Sequence, residues 1–174
     1  MITAVVLAAG AATRFGSPKQ AVLLEPVLER VRASLSIDDV VVVLGAYDVD
    51  TDATTVRCPE WERGPGASLR CGLAALDEDV DAAVVVLGDG PDLDPRAIDR
   101  VVDAWRRGDG DRVAATYRGV RLHPVLLGRA AWEDVPDEGL RGLPAALVPC
   151  DDLESPGDVD FADDLEGWPP RKEE

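Results

Sequence analysis

Short apolar runs alternate with amphipathic stretches along the whole chain. The run ITAVVLA, Ile2 to Ala8, is β-branched or small throughout and predicts a strand buried on both faces. Glu25 to Leu35 predicts a helix, because Val27, Leu28, Val31 and Leu35 fall on one face. Strands are predicted at Asp39 to Leu44 and Thr54 to Cys58, and a helix at Ala67 to Leu76 behind the turn GPGAS. The run DAAVVVL, Asp81 to Leu87, reads as the central strand and ends in a second turn, GDGPDLD. A helix from Pro95 to Arg107 follows, with Asp94 as its cap and Pro95 in its first turn. A strand at Val113 to Tyr117, the segment LHPVLL, a short helix near Ala130 and a strand at Ala145 to Val148 complete the pattern. Strands alternating with helices place the chain in the α/β class, with a parallel sheet flanked by helices.

Composition narrows the setting. At 174 residues with 46% hydrophobic content, the chain suits one domain, expected over residues 1–168, with 169–174 (PPRKEE) expected as a disordered tail. No apolar run reaches the roughly 20 residues of a membrane span, and the N-terminus enters a strand directly, so the expected location is the cytoplasm. The formal charge of −16 argues against nucleic acid as a partner, since phosphate binding needs Lys and Arg. Such acidity fits either a high-salt cytoplasm or codon bias. Cys58, Cys71 and Cys150 are odd in number and lack CxxC spacing, so neither a disulfide framework nor a zinc site is expected.

Against that acidic background, positive charge is concentrated just after the first strand. In LAAGAATRFGSPK, Leu7 to Lys19, Gly10 and Gly16 permit close approach of backbone N–H groups, and Arg14 and Lys19 add charge. Lys19 is one of two lysines in the chain, the other being Lys172. The loop is neither a dinucleotide GxGxxG, since Ala12 and Phe15 stand where glycines are needed, nor a Walker loop. Ligands of open α/β sheets sit outside the carboxyl ends of the strands. If the first and central strands are neighbours, this basic turn faces the acidic turn GDGPDLD across one crevice.

The loop LAAGAATRFGSPKQ resembles the signature of the MobA-like nucleotidyltransferases, in particular their molybdenum cofactor cytidylyltransferase branch. PEWERGPGASLRCGL (Pro59 to Leu73), LGDGPDL (Leu87 to Leu93), LHPVLLGR (Leu122 to Arg129) and DVDFADDL (Asp158 to Leu165) resemble further segments of that family in the same order. The resemblance implies a three-layer Rossmann-like nucleotidyltransferase fold with a mostly parallel sheet. It implies transfer of CMP from CTP to the phosphate of a molybdopterin cofactor, with release of pyrophosphate.

Carried onto this chain, the resemblance makes Arg14 and Lys19 the triphosphate ligands, and with Asp89 the catalytic set. Leu7, Ala8, Ala9 and Gly10 would meet base and ribose, and Gly66 and Ser68 would help recognise the base. Asp89 and Asp160 are the implied Mg2+ ligands, in keeping with that ion's preference for one or two carboxylates plus phosphate oxygens. A rival register puts Glu154 in place of Asp160. His123 is the only histidine and is expected as an acceptor-side contact. The four tryptophans read as packing residues. A transient contact with a molybdoenzyme or its chaperone is a further implied partnership.

The connection between Lys19 and Glu25 is shorter than the family pattern, LHPV replaces GHPV, and Phe161 and Ala162 replace Thr-Pro. These departures leave open a transferase for another phosphorylated acceptor, with GTP or CTP as donor. An oxidoreductase and a non-catalytic cofactor-binding module of the same fold are the rival classes.

Overall fold

The computed structural model describes residues 1–10 and 20–157. A seven-stranded sheet organises them, in the order β3-β2-β1-β4-β6-β5-β7. The strands are β1 Ile2–Ala8, β2 Asp39–Leu44, β3 Thr54–Arg57, β4 Ala82–Leu87, β5 Arg112–Tyr117, β6 Val120–Gly128 and β7 Ala146–Pro149. β1 pairs in parallel with β2 and β4, β2 with β3, and β5 with β7. Only β6 is reversed, running antiparallel to both β4 and β5.

Helices α1 Gln20–Arg32, α2 Pro65–Ala74 and α3 Pro95–Arg106 cover the two faces. Side chains alternate across β1: Ala4, Val6 and Ala8 join the core under α1 and α3, while Val5 and Ala9 join the core under α2. Burial on both faces is why β1, β2 and β4 read as unbroken apolar runs. The result is the three-layer, mostly parallel architecture expected of a Rossmann-like nucleotidyltransferase. α2 lies so close to the sheet that a Cβ on Gly72 would sit 2.7 Å from both Val5 Cγ1 and Val43 Cγ2.

Three expectations need correction. Helix α1 starts at Gln20 rather than Glu25 and carries Pro26 inside it. Pro26 removes one helical hydrogen bond at a cost of about 3 kcal/mol. Burial of Leu23 and Leu24, at 0% and 1% exposure, offsets this at roughly 2 kcal/mol each. The helix also stops short of Leu35, which is 94% exposed. There Asp99 of α3 accepts hydrogen bonds from Ser34 Oγ at 2.7 Å and Leu35 N at 3.1 Å, drawing the chain out of the helix. Finally, Cys58 and Cys71 form a disulfide, with Cα atoms 5.7 Å apart. The odd cysteine count concealed it, because buried Cys150 is the remaining free thiol.

β5 and β6 are joined by the two-residue turn Arg118–Gly119, with φ of 52° and 79°. This is the left-handed pair that matches strand twist in tight hairpins. The Arg118 N–H donates to Asp151 Oδ1 at 2.6 Å, which anchors the turn to the segment after β7.

The disulfide closes a loop between residues 13 apart in sequence. By chain entropy, a loop of that size contributes about 3 kcal/mol. Cys71→Ser should therefore lower the denaturation free energy by about 2–3 kcal/mol, and reductant should bring the wild type to the same midpoint. Coincident unfolding of the oxidised wild type and the variant would show that the bridge contributes nothing.

Candidate active site

Parallel pairing brings the carboxyl ends of β1, β2, β3 and β4 to one edge of the sheet. The sequence-predicted condition is met there: the first and central strands are neighbours, paired from Ile2↔Ala82 to Leu7↔Leu87. Just past the pairing, Gly88 N donates to Leu7 O at 2.9 Å. A Cβ on Gly88 would lie 3.1 Å from both Leu7 O and Ala8 Cβ, so glycine lets the Gly88–Gly90 turn rest on the end of β1. On the other side of β1, Ala46 N donates to Ala9 O at 3.3 Å. A Cβ on Gly45 would meet Ala9 O and Trp61 Cγ at 2.6 Å each. Leu7, Ala8, Ala9 and Gly10 thus lie between the ends of β2 and β4. Of the other predicted site residues, Arg14, Lys19 and Asp160 lie outside the described residues.

Asp89 sits in the turn after β4, and His123 faces the same edge from the start of β6. His123 lies two residues before Val125, which pairs with Val85. Burial lowers the imidazole pKa to about 4, with Arg121 and Arg141 acting in the same direction and the nearby Asp89 carboxylate opposing them. The ring is therefore neutral at pH 7, a hydrogen-bonding group and not a cation. Its backbone is fixed by Tyr117, whose hydroxyl donates to His123 O at 3.0 Å. The His123–Pro124 peptide is cis.

α2 opens at the same edge, because it follows parallel strand β3. Its N-terminal turn leaves backbone N–H groups directed at that edge, the arrangement that favours anions. Gly66 and Ser68 lie in this turn and both are buried. Gly66 N donates to Asp137 O at 2.9 Å, so that N–H is occupied by protein.

The segment after β7 returns to the Asp89 turn. Asp92 N donates to Pro156 O at 3.0 Å. A Cβ on Gly90 would lie 3.1 Å from Pro156 O and 3.2 Å from Gly157 O. The described chain thus ends against the turn that carries Asp89. Burial and the neighbouring Glu154 raise the Asp92 carboxyl pKa, opposed by Arg30. Asp92 and Glu154 share a cavity of about 720 Å³ with Tyr117, Arg118 and Leu122. Among the described residues, no group of three or more His, Cys, Asp or Glu side chains is placed to hold a metal ion.

A family model for the MobA-like NTP transferase domain matches residues 4–148. The chain belongs to this family. Among structures, the MobA-like domain superposes on the Rv0371c homologue from Mycobacterium sp. strain JC1 with a TM-score of 0.78 and 26% identity, covering 95% of this chain and 93% of that one. It matches Rv0371c of Mycobacterium tuberculosis H37Rv in complex with manganese with a TM-score of 0.72 and 26% identity, covering 95% and 96%. The bifunctional protein GlmU of Sorangium cellulosum is 33% identical over 147 residues, 74% of this chain. The chain spans only 31% of that protein's length.

Two residues that pack at these turns, Asp92 and Asp137, carry no chemical signal in the sequence. Asp92 was hidden within an acidic turn. Asp137 follows Pro136 in VPDEGL, which carries a turn signal and nothing chemical.

The neutral state of His123 has a pH signature. Its folded pKa, about 4, lies below the ordinary value of 6.5. Between those values the unfolded chain takes up the proton and the folded one does not, so this contribution is present above pH 6.5 and is lost as pH falls toward 4. Wild-type Tm should fall relative to that of His123→Gln across this window. A constant difference between the two proteins from pH 7 to pH 4 would show that the ring is not held neutral.

Proposed function

We propose that this chain is a divalent-metal-dependent nucleotidyltransferase, with CTP as donor, Mg2+ as its ion and the phosphate of a molybdopterin cofactor as acceptor. An acceptor phosphate oxygen attacks the α-phosphorus, the bond from that phosphorus to the bridging oxygen breaks, and pyrophosphate leaves. The phosphate nucleophile is already ionised near neutral pH, so no general base is required, in keeping with a neutral His123. Such transfer asks the protein mainly to align the reactants and neutralise charge.

The observation that carries this reading is the register of β1 against β4, which sets the Gly88–Gly90 turn against Leu7 and Ala8. It supports one crevice walled by the LAAG end of β1, the acidic turn and the N-terminus of α2. Arg14 and Lys19 are assigned to the triphosphate, and Leu7 to Gly10 with Gly66 and Ser68 to the nucleoside. With the Gly66 N–H engaged by Asp137, its contribution lies in permitting close approach.

The donor set suits a hard divalent cation. Asp89 offers a carboxylate at the strand end, and Gly157 packs beside the same turn, three residues before Asp160. Asp160 is assigned as the second carboxylate. Glu154 is the alternative second ligand. When bound, the ion would supply Lewis-acid neutralisation of phosphate charge. The manganese complex of Rv0371c is consistent with a divalent ion in this family. Contact with a molybdoenzyme or its chaperone belongs to the same proposal.

A transferase acting on another phosphorylated acceptor is the second reading. The 720 Å³ cavity beside the Asp89 turn favours it, because Asp92, Asp151, Asp152 and Glu154 outnumber Arg118 there. An acceptor with hydrogen-bond donors suits such a wall better than one with further anionic groups.

Single-turnover assays of pyrophosphate release with Mg2+ or Mn2+, each of the four triphosphates and a panel of phosphorylated acceptors test both readings. Lys19→Ala and Asp89→Asn should each lower the rate at least about 100-fold with unchanged Tm, the scale of lost transition-state charge stabilisation. Near-normal turnover in either variant would remove that residue from the mechanism. No pyrophosphate with any pair would sink the transferase.

A further inference from the structure

The turn that opens α2 is held in place from outside. Gly64 has φ of +135°, and α2 has no side-chain cap. The loop at 135–139 packs over the turn instead. The Asp137 carbonyl accepts the Gly66 N–H at 2.9 Å. A Cβ on Gly64 would overlap the Asp137 carbonyl oxygen, and one on Gly66 the Pro136 carbonyl oxygen. Gly139, with φ of +93°, brings the far side of the loop against Pro65, where a Cβ would lie 3.2 Å from Pro65 Cγ.

Side chains complete the attachment from both ends of the turn. Arg63, just before it, donates from Nε and Nη2 to Asp137 Oδ2 at 3.3 and 3.1 Å, and from Nη1 to Glu60 Oε2 at 2.8 Å. Arg70, in the middle of α2, donates to Asp137 Oδ1 and to Val135 O, the latter at 2.7 Å. One carboxylate therefore joins the residues on either side of Gly64–Ser68, each through its own oxygen. Arg70 and then Arg63 hold that carboxyl below its ordinary pKa, so it stays ionised at neutral pH.

The pairs are too exposed to serve mainly as stability. Arg63, Asp137 and Arg70 side chains are 54%, 36% and 33% exposed. Ion pairs as exposed as these are screened by water and contribute little to folding. What the network fixes is the position of the turn against the loop at 135–139, and ordering it in advance removes an entropic cost from binding.

We propose that Asp137 is a positioning residue for base selection: through Arg63, Arg70 and the Gly66 N–H, it locks the α2 turn against the loop at 135–139, in the position that fits one nucleoside base. This rests on the reading that the Gly66–Ser68 turn contacts the base of a nucleoside triphosphate. Asp137 acts only through the turn and touches neither base nor phosphate.

The test is steady-state pyrophosphate release with Mg2+, whichever acceptor of the phosphorylated panel supports wild-type turnover and each of the four triphosphates, for wild type, Asp137→Ala and Asp137→Asn, with Tm as the check on folding. In Asp137→Ala, KM for the preferred triphosphate should rise about tenfold and its preference over the others fall by a similar factor, the scale of one lost charge-assisted contact. The kcat should stay within about twofold, because a lost ground-state and transition-state contact of equal strength appears in KM. Asp137→Asn, which keeps one acceptor oxygen, should lie between. Unchanged KM and base preference in both variants, or a fall in kcat at unchanged KM, would overturn the assignment. Turnover by wild type with unaltered variants defeats this inference alone. A wild type that releases no pyrophosphate with any triphosphate and acceptor defeats the transferase reading and the inference together.

Discussion

The parallel pairing of β1 with β4 is the constraint on which the rest of the site depends. Six paired positions, Ile2↔Ala82 to Leu7↔Leu87, set how far each strand extends. The hydrogen bond from Gly88 to Leu7 then fixes where their loops diverge. A slip of one residue would exchange the faces of β1, sending Val5 toward α1 and Ala4 toward α2. Because both faces are filled, such a slip would disrupt two cores at once. The register of the candidate site is therefore held by packing far below it.

Charge has to be arranged locally in so acidic a molecule. Arginines are drawn into specific acceptors: Arg57 pairs with Asp48, Arg100 with Asp152, and Arg121 donates to the carbonyls of Leu140 and Leu143. His123 is kept neutral by its surroundings. The Asp92 and Glu154 carboxylates, by contrast, oppose one another across the cavity beside the Asp89 turn. The edge where the strands end is thus electrostatically divided.

Much of the architecture was legible because strands buried on both faces leave unbroken apolar runs, and those of β1, β2 and β4 fell within a residue of the predicted limits. The Asp94 cap of α3 was equally plain, since its side chain accepts from Arg96 N two residues on. The start of α1 was not, because Pro26 signals a boundary locally while Leu23 and Leu24 are buried by tertiary contact. The disulfide was masked by an unpaired third cysteine. Among the candidate site residues, Asp89 and His123 lie in segments that the family resemblance singled out, and both fall at the carboxyl edge of the sheet. Asp137 was not legible, because its partners Arg70 and Arg63 lie 67 and 74 residues away. Contacts of that span leave no periodicity to read.

The one reversed strand also divides the edge by chain segment. β1, β2, β3 and β4 reach it by running outward, whereas β6 starts there, just after the Arg118–Gly119 turn. The hairpin tip therefore contributes one wall near His123 and the cavity, while Asp92 and the segment after β7 contribute the rest of the cavity. Hairpin tips tolerate insertion and replacement far better than buried parallel strands. This wall can be reshaped in length and chemistry while the β1–β4 register stays intact, so the fold can exchange what it receives on one side without rebuilding the other.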